Sequence, residues 1–190
     1  MTASLGRILR SKKGQSLIEL SLIAPLMLLL AYGAVEVGSV ISTYLTITHT
    51  TREGANLTSR GTDPDTALDA IILAAAPTLR TANNPQWRVI YSKIIQDGPC
   101  LAPPCDFIVD NVDPKGQILR GGLGKASILG TPGTPVTEAM LPGIDNVAPN
   151  QKFHVIEVFY DYAPDIITFV GKGINTDFYE RTVFTDVSGN

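Results

Sequence analysis

Charge is scarce in this chain. Asp, Glu, Lys and Arg together make up 17% of the 190 residues, the formal net charge is −3, and there are two histidines and two cysteines. With 44% hydrophobic residues, the composition is the reverse of the apolar-poor, charge-rich make-up that keeps a chain disordered. The slight acidic excess excludes the basic stripe of a nucleic-acid binder, so no nucleic-acid partner is expected. Cys100 and Cys105 have no further Cys or His near them, which leaves a tetrahedral metal site incomplete. Gly-x-Ser-x-Gly, Walker-type and zinc-helix motifs are absent, so His49 and His154 read as ordinary helix-surface and strand-face residues. No enzyme activity, cofactor or metal is therefore expected. The length suits one domain with an appended segment and rules out a large multidomain enzyme.

The apolar residues are unevenly spread. Residues 1–14 carry Arg7, Arg10, Lys12 and Lys13 and no acid. From Leu17 to Ile41 the only Asp, Glu, Lys, Arg or His side chains are Glu19 and Glu36, and Leu20 to Val35 holds just Ser21 and Tyr32 as polar side chains. With Leu17, Ile18, Val37 and Val40 the run reaches the ~20 residues that cross a hydrocarbon layer as a helix. A basic patch ahead of it stays on the cytoplasmic side, which sends everything beyond Ile41 outward. The bland alternative is the buried core helix of a soluble protein. A cleaved signal peptide is a third reading, with Ala31-Tyr32-Gly33 as its small-residue site, and it leaves Glu19 unexplained. An acid inside an apolar span is costly and marks a function.

The stretch Lys13-Gly14-Gln15-Ser16-Leu17-Ile18-Glu19-Leu20 resembles the processing site of type IV prepilins, in which a basic leader ends in Gly and Glu is the fifth residue of the mature chain. Downstream of Leu20 the chain resembles the TadE-like minor pilins of tight-adherence pili. Pro25 stands six residues after Glu19, Gly33-Ala34-Val35-Glu36-Val37-Gly38 fits a Gly-x-x-Glu-x-Gly pattern, and Arg52-Glu53-Gly54-Ala55 fits an Arg-Glu-Gly-Ala signature. Many Flp-type prepilins have an aromatic residue after the Glu; this chain has Leu20, as the broader type IV class does. The resemblance spans roughly residues 12–60. It implies a structural pilin-like subunit, cut between Gly14 and Gln15 by a prepilin peptidase. Its implied partners are other pilin subunits, the inner-membrane pilus assembly machinery and the lipid bilayer. The implied location is a single pass of the bacterial inner membrane, with the head periplasmic or extracellular, and the implied role is surface adhesion.

Cleavage after Gly14 would remove four cations that hold the N-terminus at an anionic membrane face, each contributing about 1 kcal/mol. It would also create an α-amine on Gln15, about 6 Å of helical rise from Glu19. A staggered neighbouring subunit can then bring its amine to the Glu19 carboxylate, so that two charges each costly alone become tolerable together. The plainer reading is a glutamate snorkelling at the headgroup boundary. Pro25 removes one amide hydrogen and frees the carbonyl of Ser21, which predicts a bend or loosening. Ala34, Gly38 and Ser42 recur every four residues and give a small-residue strip for close helix packing.

Beyond Ile41 the helix is expected to continue to Gly61, followed by a second helix, Asp65–Ala76, opened by Asp63-Pro64 and stopped at Pro77. Strands are expected at Gln86–Gln96, Phe107–Val109, Lys152–Tyr162 and Thr176–Val187, with loops through the Gly- and Pro-rich remainder of 98–149. The expected organisation is a leader (1–14), a transmembrane and assembly helix (15–41) and an outward head (42–190). The fold class is α+β, a long N-terminal helix, transmembrane then amphipathic, packed on a small antiparallel sheet. A disulfide between Cys100 and Cys105 is favoured outside the cytoplasm. Asp106, Asp110 and Asp113 fit no known calcium loop. Asn56-Leu57-Thr58 has the glycosylation pattern but falls on a helix. Two alternatives stay open: a permanently anchored assembly factor, and an exported soluble domain cleaved near Gly33.

Overall fold

A computed structural model of the chain describes residues 12–79, 86–162 and 176–186. Most of the expected leader, and Val187 at the end of the expected final strand, lie outside the described residues. The first helix, α1 (Lys12–Ser59), begins in one compact unit that ends at Ile41 and enters a second at Ser42.

In the first unit α1 is rich in Leu, Ile, Ala, Met and Val, with no period-2 alternation that would suit a strand. Leu17, Leu22, Leu29 and Val35 are all more than 60% exposed. Pro25 lies inside the helix, and the Ser21 hydroxyl donates to the carbonyl of Ile18 at 2.8 Å.

In the second unit α1 changes character. Thr43, Ile47, Thr51, Gly54, Ala55 and Thr58 are buried, at the three- and four-residue spacing of one helix face. The hydroxyls of Thr51 and Thr58 donate back to carbonyls one turn earlier, Ile47 and Gly54, at 3.0 Å each, so these polar side chains can be buried. The helix ends in a Schellman motif: Gly61 takes a left-handed φ of 86°, its amide donates to Thr58, and the Thr62 amide donates to Leu57.

Helix α2 (Pro64–Leu79) starts as expected, with the Asp63 carboxylate accepting the Thr66 amide and Pro64 in the first turn. Its end differs from expectation, because Pro77 lies inside the helix. A proline in the last turn forfeits a single amide bond, to the carbonyl of Leu73, and Leu73 is 76% exposed, where water can take that bond.

The described residues form a six-stranded sheet in which every pairing is antiparallel. Its strands are β1 (Trp87–Gln96), β2 (Phe107–Val109), β3 (Gln117–Arg120), β4 (Pro135–Val136), β5 (Phe153–Tyr162) and β6 (Thr176–Thr185). One edge of β1 pairs with β5 along its length, and the other is shared between β3 and β2. Order along the sheet is β4-β2-β1-β5-β6. The expected strands are present within a residue or two, while β3, β4 and the short 3₁₀ turn Ile144–Asn146 fall where loops are expected.

The simple alternation expected of β5 does not hold, since all residues from Phe153 to Tyr160 are buried. Both faces of the sheet are covered. On one, Val89, Tyr91, Ile156 and Val158 pack with Ile47 and Ala55 of α1 and Leu68 and Ile71 of α2. On the other, Ile94, Phe107, Phe153 and Val155 pack with Leu129, Val136, Leu141 and Ile144 from the Gly- and Pro-rich region. That region thus serves as a second layer, tied down in part by the Cys100–Cys105 disulfide, with Cα atoms 5.8 Å apart.

Candidate functional site on the N-terminal helix

Gly14 and Gln15 lie within α1 by backbone, five and four residues before Glu19, which is exposed. Four residues of α-helix place Gln15 and Glu19 on one face. Ala34, Gly38 and Ser42 are all exposed, and a Cβ added at Gly38 meets nothing within 4 Å. The strip is therefore open to a neighbour. Glu36 and Val40 are half-buried. This helix is long and apolar enough to cross a membrane.

Gly54 shows what the Arg-Glu-Gly-Ala stretch does in the head. A Cβ at Gly54 would sit 2.7 Å from Ile71 Cδ1 of α2 and 3.3 Å from Ile156 Cγ1 of β5. The glycine lets α1, α2 and the sheet meet at one point, and Ala55 beside it is fully buried. Arg52 and Glu53 face outward. Glu53 lines a depression of about 360 Å³ with His49, Thr50 and Ile71.

The remaining sequence candidates are not brought together. His49 is exposed on α1, whereas His154 is buried in β5. Asp110 and Asp113 do converge, but on an ammonium: Lys93 Nζ is 3.2 Å from a carboxylate oxygen of each. Burial pulls the Lys93 pKa down, and the two carboxylates overcome it and raise it. The lysine thus occupies the place a cation would need. Among the described residues, no group of three or more His, Cys, Asp or Glu side chains could hold a metal. Thr58 of the Asn-Leu-Thr pattern is buried and bonded to Gly54.

Three polar clusters are not legible in the sequence, because each joins segments far apart in the chain. Asp63 and Asp65 at the start of α2 meet Lys115, and Asp65 also pairs with Arg120 of β3. Glu157 is fully buried in β5, where it accepts bonds from the Ser127 hydroxyl, the Ile128 amide and the Tyr179 hydroxyl. Those donors satisfy a carboxylate that would otherwise be destabilising. Both clusters tie the loop-rich layer and α2 to the sheet.

The third is Tyr91 and His154, 2.9 Å apart from hydroxyl to Nδ1. Burial raises the Tyr91 pKa, so the phenol keeps its proton, and the imidazole Nε2 lies 4.0 Å from Asp186 Oδ2. Burial lowers the His154 pKa below its usual 6.5, with Lys93 and Lys152 adding to the effect and Asp186 opposing it. The unfolded chain then binds this proton more readily than the folded one, so stability is lost as pH falls below about 6.5. Thermal melts of the full chain between pH 7.5 and about 5 should show that decline. His154→Asn keeps an acceptor for Tyr91 without a titrating group and should flatten it; an unchanged slope would locate the effect elsewhere.

Residues 14–56 match the family described as TadE-like protein. The match begins at the expected cleavage position and stops just past Gly54 and Ala55, leaving most of the head outside it. No curated protein and no solved structure matches the chain.

Proposed function

We propose that the TadE-like segment makes this chain a pilin-like structural subunit of a tight-adherence pilus. It is cut after Gly14 by a prepilin peptidase, held in the membrane by α1, and assembled with other pilin subunits through that helix to support surface adhesion. The observation that carries the reading is Glu19: an acid in an apolar helix, one turn after Gln15, in the segment that matches the family. In water-filled surroundings such a residue needs no partner, but in hydrocarbon it does, and a neighbour's new α-amine is the charge that processing creates. The open strip of Ala34, Gly38 and Ser42 supports close helix packing within the assembly. The head, with both sheet faces covered, suits presentation and packing on such a helix.

The direct test is the N-terminal sequence, or intact mass, of the native protein extracted from membranes and from sheared pili. A start at Gln15 in both fractions is expected. A start near Ala34 would identify an exported soluble domain, and an uncut Met1 a permanent anchor; either result overturns the proposal.

A further inference from the structure

Aromatic side chains from three elements meet at one end of the head. The ring of Tyr44 in α1 lies 6.4 Å from that of Phe178 in β6, Phe178 stands edge-on to Tyr162 of β5 at 6.0 Å, and Tyr160 follows 6.4 Å beyond Tyr162. Tyr160 belongs to the core, Tyr162 and Phe178 are half-buried against it, and Tyr44 is 48% exposed, so the cluster runs from the core out to the surface.

Its place along the head follows from two contacts. Gly54 meets Ile156, and Tyr44 meets Phe178, which pairs with Tyr160. Ten residues of helix therefore run back along four residues of β5, about 15 Å against 13 Å. The Tyr160–Tyr162 end of the sheet is the end at which α1 enters the head. Tyr44 stands three residues beyond Ile41, a rise of about 4.5 Å. The headgroup layer outside the hydrocarbon is about 5–7 Å deep on each side of a bilayer. Tyrosine is enriched at that depth because its ring is apolar and its hydroxyl is wet. At this end Asp177, at the start of β6, pairs with Lys125 at 3.2 Å, and burial together with the neighbouring Asp177 raises the pKa of Asp161 in β5.

We infer that the aromatic end of the head is a lipid-headgroup contact: Tyr44, Tyr162 and Phe178 rest in the outer headgroup layer while the subunit is in the membrane. Extraction into a filament must break the contact. The inference rests on the reading that α1 spans the bilayer, and the test separates the two.

The full chain, with Cys100–Cys105 kept oxidised, is reconstituted in vesicles of phosphatidylcholine with a minority of phosphatidylglycerol. Single cysteines carry an environment-sensitive fluorophore at Leu28→Cys in the apolar helix, at Phe178→Cys, and at Val112→Cys. Val112 is 81% exposed beside Asp110, whose amide donates to Lys93; Lys93 pairs with His154 at the opposite end of β5 from Tyr160. Asp177→Cys is a second reporter that leaves the ring cluster whole. Lipids spin-labelled mid-chain should quench the label at 28. Lipids spin-labelled on the headgroup should quench the labels at 178 and 177 several-fold more than the label at 112. Quenching at 28 with 178 and 177 no better quenched than 112 overturns the lipid contact and leaves the spanning helix standing. No quenching at 28 overturns both.

Discussion

Valine in place of Glu19 should yield a protein that is made, inserted and cut after Gly14, yet is missing from pili. Removing the carboxylate relieves membrane insertion of a cost of about 1–3 kcal/mol, so cellular levels should hold or rise. What is lost is the partner for the amine that cleavage exposes. Breaking a buried pair by deleting one member costs about 3–5 kcal/mol, because the remaining charge is stranded in a medium that cannot solvate it. At 1.4 kcal/mol per tenfold, the subunit content of sheared pili should fall by at least a hundredfold. Immunoblots of pili and membranes, with N-terminal sequencing of the membrane form, report both halves of the expectation. Leu28→Val is the control. Leu28 lies outside the cleavage-proximal turn and carries no charge, and its replacement should leave assembly within a few-fold of normal. Wild-type amounts of Glu19→Val in pili would remove the pairing role.

The other large effect is expected at Gly54. Alanine there brings a Cβ to 2.7 Å from the end of the Ile71 side chain, which can swing away, and the ~1 kcal/mol gained in helix propensity offsets the adjustment. Leucine has no such escape, because Ile156 closes the other side at 3.3 Å. Forcing several carbons into this junction of two helices and the sheet should cost about 3 kcal/mol or more, a large share of a typical domain stability. Melting of full-length protein in detergent should drop by about 6–12 °C for Gly54→Leu and by no more than about 2 °C for Gly54→Ala. Equal melting temperatures for leucine and glycine would mean that α1 can shift off the sheet without penalty.

Much of this architecture is legible in the amino-acid sequence, and for physical reasons. The apolar span announces itself through composition alone, and Asp63-Pro64 and Gly61 mark helix boundaries through local backbone chemistry. Three of the longer strands emerge from β-branched and aromatic residues between turn residues. Proline misleads at 77, where its penalty in a final turn is a single amide. Glycine and proline density likewise hides β3 and β4, whose two to four residues gain their order from pairing with β1 and β2 rather than from local preference. Alternation fails in β5 because the loop-rich layer covers a face that a lone sheet would leave wet. At the candidate site, Glu19 is visible because its neighbours are so apolar. The Lys93, Glu157 and Tyr91–His154 clusters are invisible because their members lie between about 20 and 63 positions apart along the chain.

The pairing of β1 with β5 joins Trp87 to Tyr160 and Ile94 to Phe153. A polypeptide threaded outward from an anchored N-terminus delivers β1 long before its main partner emerges, and no hairpin turn can bring the two together early. Loop closure on that scale is slow, and until it happens a strand of Val, Ile and Tyr stands with an open edge. On the proposed topology, newly exported molecules thus pass through an interval in which they are prone to stick to one another. The acids of α2 meet Lys115 and Arg120 sooner, since both precede β5 in the chain. On that topology the head matures only once the last stretch has crossed the membrane, and any assembly step that requires a finished head must wait for it.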